Sequence, residues 1–285
     1  MASLRSMYAP KSLKTFQDFF AGMDAAEWPT EDTNQKTPAF LVGFPRSGTT
    51  LLDQVLSSHS RITVLEEKEN LEAFYTQFPA TPDDLSRLMA CESEQLQTWR
   101  DSYWQQITDE IEIADELLVV DKLPLNIVLL GHIRTLFPAA RIVFALRDPR
   151  DAVFSCFQQR LGMNQAMFQF LKLETAVSYY DQVMSLAKIF KDDLSIPMHF
   201  VRYESVISDY DAEVNAVLEY LGLDWEDGVR DYQSTARKRR TSTPSAPDVI
   251  RPLYTTSIGK WRHYSEFIGD RFEPLRKWVD YWGYE

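Results

Sequence analysis

The stretch Ala39-Phe40-Leu41-Val42-Gly43-Phe44-Pro45-Arg46-Ser47-Gly48-Thr49-Thr50 decides how this chain folds. Its first four residues form an unbroken apolar run, the pattern of a strand buried on both faces. Gly43 and Gly48 enclose four residues, the G-x-x-x-x-G spacing of a phosphate-binding loop. Beyond Thr49, Leu51, Leu52, Val55 and Leu56 recur at helical spacing. Strand, glycine loop and helix in that order open a parallel α/β sheet.

The alternation continues downstream. Residues 61–65, 116–120, 141–146 and 198–201 read as four further strands. Helical periods cover 69–99, then 125–137 up to Pro138, and 211–221, which Gly222 closes. Pro149 suits the first turn of a helix after the strand 141–146. The pattern predicts an α/β fold, a single domain built on a P-loop-like parallel β-sheet flanked by helices. That domain spans residues 38–285, and residues 1–37 form a polar extension, helical or irregular. Polar residues sit just after the strand ends: Arg46, Glu67, Lys122, Arg147 and Tyr203. In open parallel sheets the ligand crevice lies outside those ends.

Composition narrows the partners. The 285 residues carry 30 Lys+Arg against 42 Asp+Glu, a net charge of −12. That balance argues against a general binder of nucleic acid or anionic membranes. Two cysteines, Cys91 and Cys156, make no disulfide framework, and His59, His132, His199 and His263 lack metal-ligand spacing. No run approaches the roughly 18–20 apolar residues of a membrane helix, and the first residues lack a signal-peptide core. The chain reads as cytoplasmic.

The loop itself departs from the nucleotide-hydrolysing pattern, which has lysine after the second glycine where this chain has Thr49. The strand at 141–146 ends in Arg147 rather than in an acid for magnesium. Arg46 lies within the loop, and the hydroxyls of Ser47, Thr49 and Thr50 add donors to its backbone N–H groups. This is a cradle for a 5′-phosphate-like group with no metal. A P-loop-type kinase and a non-catalytic nucleotide-binding module are the alternatives to a transferase.

PRSGTT after a strand, RDPRDAVFS about a hundred residues on, and GKWR near the C-terminus together resemble the sulfotransferases that use 3′-phosphoadenosine 5′-phosphosulfate (PAPS). Within them the chain is most similar to tyrosylprotein sulfotransferases and to bacterial sulfotransferase domains found behind tetratricopeptide repeats. The likeness runs from residue 38 to 264. It implies that Arg46, Ser47, Gly48, Thr49 and Thr50 hold the 5′-phosphosulfate and that Arg147 and Ser155 hold the 3′-phosphate. It implies Glu67, in VLEEKENL, as general base, and Lys122 as the cation at the bridging oxygen. Tyr203 would contact the cofactor or belong to the core. In the closing segment Ser245, with Ser242 close by, would approach the sulfate, and Lys260 the 3′-phosphate. Arg160 stands one position out of register with a further family arginine. Arg150 and Asp151 read equally well as a solvated or helix-start pair, and the run 237–240 as a solvated loop or as a patch that steers an anionic acceptor or the cofactor. The activity implied is sulfuryl transfer to an acceptor hydroxyl, which protein tyrosine, a carbohydrate and a small alcohol or phenol all present.

Overall fold

The computed structural model of the chain describes residues 6–28, 35–159, 162, 164–238 and 255–285. Arg160, Arg239, Arg240, Ser242 and Ser245 lie outside them. Five strands form one parallel sheet: β1 (Ala39–Gly43), β2 (Ile62–Glu66), β3 (Leu118–Lys122), β4 (Ile142–Leu146) and β5 (Met198–Arg202). Their order across the sheet is β2-β3-β1-β4-β5. Each strand lies within two residues of its expected position. The exception in substance is β3, which takes in Asp121 and Lys122 instead of ending before them. Pairing with β2 carries it there, with Leu65 opposite Asp121 and Glu66 opposite Lys122.

Among the described residues up to 238, eleven α-helices connect and cover the strands. In chain order they are α1 (Pro10–Phe20), α2 (Thr49–Leu56), α3 (Glu72–Tyr75), α4 (Pro82–Met89), α5 (Ser93–Thr108), α6 (Leu130–Leu136), α7 (Pro149–Gln158), α8 (Leu173–Lys188), α9 (Tyr203–Ser208), α10 (Tyr210–Tyr220) and α11 (Tyr232–Lys238). The stretch 69–99 holds three helices rather than one: Pro79 and Pro82 separate α3 from α4, and α4 ends at its C-cap Ala90 before the capping box of Glu92 and Gln95 starts α5. The helix expected over 125–137 starts as a 3₁₀ segment, Pro124–Leu129, before α6.

Alternate residues of the strands feed two apolar layers. Phe40, Val42, Phe144 and Leu146 face one side with α1, α5 and α8, and Leu41, Val120, Val143 and Ala145 face the other with α2 and α10. Full burial of such side chains stabilises by about 1.5–3 kcal/mol each. Every residue of β1 and β4 is buried, which explains their unbroken apolar runs. At Gly43 a Cβ would stand 2.4 Å from the Ala145 carbonyl oxygen, so only glycine lets β1 end this close to β4. The extension is not merely polar: Leu13, Phe16 and Phe20 of α1 are buried, and Gln17 donates to the Gln182 carbonyl of α8 at 2.6 Å. Among the described residues, no helix is long and apolar enough to cross a membrane.

The chain leaves β1 toward β2 on one side and leaves β4 toward β5 on the other. The crevice between their C-terminal ends is where a parallel sheet of this order binds ligands.

Candidate active site

Two backbone positions mark the crevice. Among the described residues only three non-glycine residues have positive φ, and two of them are Arg46 (φ 69°) and Glu67 (φ 47°). Such conformations cost about 1–2 kcal/mol for an L-residue and gather at functional sites. Gly48 (φ 96°) caps the N-terminus of α2, and a Cβ there would meet the Tyr203 ring at 2.9 Å. Ser47, Thr49 and Thr50 are buried around that terminus. The loop is therefore packed from below by Tyr203, and the first turn of α2 begins among three hydroxyl-bearing residues.

On the β4 side, Arg147 is only 7% exposed. Its Nη1 donates to the Arg46 carbonyl at 3.0 Å and its Nη2 to the Ser257 carbonyl at 2.6 Å. The guanidinium lies 4.9 Å above the Tyr203 ring. Its Nε is buried with no hydrogen-bond partner. Arg46 in turn donates from Nε to Ser155 Oγ at 3.0 Å, so the residues expected at the two ends of one nucleotide are joined directly. Tyr203 does not sit in the core alone: its hydroxyl pairs with Ser257 Oγ at 2.8 Å. Lys260 is exposed and donates to Gln158 Oε1 at 2.9 Å.

On the β3 side, Lys122 is wholly buried, unlike a lysine projecting from a strand end. Three carboxylates surround its Nζ: Glu67 at 2.9 Å, Asp53 at 3.5 Å and Glu66 at 3.9 Å. Asp53, on α2, is as buried as the lysine, whereas Glu67 has 35% of its side chain exposed. The Glu67 N–H continues the β2–β3 ladder by donating to the Lys122 carbonyl at 2.8 Å. A bond at each end of the residue thus fixes the carboxylate at the crevice edge.

Neighbouring groups are structural. His132 Nε2 lies 3.0 Å from the Phe78 carbonyl and burial pushes its pKa down to about 4, so it stays neutral. His59 Nε2 lies 3.0 Å from the Asp224 carbonyl. Burial holds the Cys156 thiol, beneath the loop at Pro45, up at about 12. Asp121 points away from Lys122, as strand alternation requires, and accepts from Asn70 and Tyr103 at 3.0 and 2.9 Å.

Sequence reasoning missed Ser257, although it stands three residues before the Lys260 of the GKWR motif. It also missed Asp53, which sits in an amphipathic pattern but on a helix buried all round. Ser245 falls outside the described residues.

Residues 38–227 match the sequence model of the sulfotransferase family. An uncharacterized protein of Aquifex aeolicus is 26% identical over 259 residues, which cover 85% of this chain and 32% of that protein. Protein-tyrosine sulfotransferase 1 of Danio rerio is 22% identical over 255 residues, covering 78% of this chain and 64% of the relative. The chain thus spans about a third to two thirds of the length of these curated relatives. The sulfotransferase domain of the Synechococcus PCC 7002 olefin synthase superposes with a TM-score of 0.52 at 19% identity, over 82% of this chain and 90% of that domain, and shares the fold.

Proposed function

The chain belongs to the sulfotransferase family, and from that premise we propose that it moves a sulfuryl group from PAPS to an acceptor hydroxyl. Arg147 carries this reading: a buried cation whose hydrogen bonds go to neutral carbonyls and whose Nε has no partner. Such a guanidinium keeps its charge for a phosphate dianion. The fit extends to Ser47, Thr49, Thr50 and the N-terminus of α2, which would hold the 5′-phosphate end, while Arg147 and Ser155 would hold the 3′-phosphate. PAPS, when bound, supplies an activated sulfuryl group. Glu67 takes the proton of the acceptor hydroxyl at its carboxylate, within reach because a third of that side chain faces solvent. Lys122 and Arg46 supply the positive charge that a departing phosphate needs. Asp53 and Glu66 keep Lys122 at the end of β3. We assign this chemistry to residues 38–285, with α1 of the preceding extension closing one apolar layer.

Calorimetric titration in EDTA with adenosine 3′,5′-bisphosphate, AMP and ATP tests the reading. Tight binding of the bisphosphate, with AMP and ATP weaker, is expected. Binding of ATP in preference, or of no nucleotide without magnesium, would mean a P-loop kinase or another nucleotide protein instead.

A further inference from the structure

Asp151 lies in the first turn of α7, where an acid ordinarily serves the helix dipole. Here it does something else. It is 2% exposed, and both of its oxygens accept from the backbone of a segment more than a hundred residues away. Oδ2 takes the Gly259 N–H at 2.6 Å and Oδ1 takes the Trp261 N–H at 3.0 Å. Burial raises its pKa, while the nearby Arg147 charge and the two N–H groups oppose that rise. The segment it grips brings a set of groups to the β4 side of the crevice. They are the Ser257 carbonyl on Arg147, the Ser257 hydroxyl on Tyr203 and Lys260 beside Gln158. Gly259, within the grip, has φ 68°, a left-handed turn after which its own N–H and that of Trp261 meet the two oxygens of one carboxylate. The neighbouring Arg150 pairs with Asp148 and adds a stacking contact to the same segment, 4.5 Å over the Trp261 ring.

We propose that Asp151 is a positioning residue. By fixing the Gly259 and Trp261 amides it sets Ser257 and Lys260 around Arg147, and so gives the site its preference for a nucleotide with a second, 3′-phosphate over one with a 5′-phosphate alone. This rests on the PAPS reading above. Asp151 itself touches no ligand and acts through the segment it holds. An asparagine would turn an NH₂ toward one of the two N–H groups and leave that donor without an acceptor.

The test compares wild type with Asp151→Asn, both shown folded by thermal unfolding, in two measurements. One is the ratio of affinities for adenosine 3′,5′-bisphosphate and AMP. The other is amide exchange over residues 257–261. The variant is expected to lose about tenfold to a hundredfold of the bisphosphate preference, to bind AMP as wild type does, and to exchange faster over 257–261. A general structural defect would weaken both nucleotides alike, and that result overturns the proposal, as does an unchanged ratio. A wild type without bisphosphate preference would instead overturn the PAPS reading itself. Should the variant not fold, wild type decides: saturating bisphosphate is expected to slow exchange over 257–261 more than saturating AMP does, and equal protection overturns the proposal.

Discussion

Lys122 and Arg147 are both buried cations at the ends of strands that flank β1, yet their surroundings are opposite. Lys122 is ringed by Asp53, Glu66 and Glu67, three carboxylates within 3.9 Å of one ammonium. Among the described residues Arg147 has no ion pair, and its donors meet the carbonyls of Arg46 and Ser257 and the face of Tyr203. Carboxylates in contact with a cation offset part of its field, which leaves Lys122 a reduced charge toward the crevice. Arg147 instead meets neutral oxygens in its hydrogen bonds and feels the Asp151 and Glu204 carboxylates only at longer range. The first arrangement suits a group that organises a base. The second suits one that captures an anion. Burial alone does not tell the two apart; the identity of the acceptors does.

Substitutions can break this contrast. The largest effect is expected for Glu67→Gln, with turnover falling by ~10² to 10⁴ as for other lost general bases and bisphosphate affinity unchanged in calorimetry. If that affinity falls in parallel, the two regions are not separate. Lys122→Met leaves three carboxylates unbalanced and is expected to destabilise the fold by about 3–5 kcal/mol in urea unfolding. Adding Asp53→Asn is expected to restore part of the loss, and strict additivity would mean that the ring does not act as a unit. Arg147→Met is expected to weaken bisphosphate binding by about 3 kcal/mol, from two charge-assisted hydrogen bonds, with a smaller change in unfolding. A loss of stability as large as that of Lys122→Met would erase the distinction.

The smallest effect belongs to Asp121, the acid that turns away from both regions. Burial pushes its pKa up to about 6, against the hydrogen bonds from Asn70 and Tyr103, where a free aspartate has ~3.9. Its protonated form is thus the one the fold prefers. The stability it contributes is fully present below pH ~4 and is lost as the pH rises through about 6. Asp121→Asn removes that dependence. Its stability relative to wild type is expected to improve by about 2–3 kcal/mol between pH 4 and pH 7, read by urea unfolding at both values. A constant difference would mean that Asp121 titrates normally.

The sheet was readable because β1 and β4 are buried on both faces, so their sequences are continuous apolar runs with no competing period. By contrast β3 ends in the buried Asp121 and Lys122, and its end was not readable. The glycine loop was readable because Gly43 and Gly48 answer to local demands, a close strand approach and a left-handed cap. Helix α1 was only half readable, as helical or irregular, because polar residues surround the Leu13, Phe16 and Phe20 that it buries. The grip of Asp151 was not readable. In sequence it is an acid in a helix's first turn, and nothing local names partners at Gly259 and Trp261. The ring around Lys122 was hidden for the same reason: Asp53, Glu66 and Glu67 come from α2 and the end of β2, and only the fold brings them to one nitrogen.

Arg46 belongs to both loops at once, through its Nε on Ser155 and its carbonyl under Arg147. One residue would therefore set how far apart the two proposed phosphate cradles stand, as a pin sets the jaws of a caliper. On the reading proposed above, a shift of the glycine loop would be carried to α7, and the crevice would gauge the separation of two charges on a ligand before any bond in that ligand is tested.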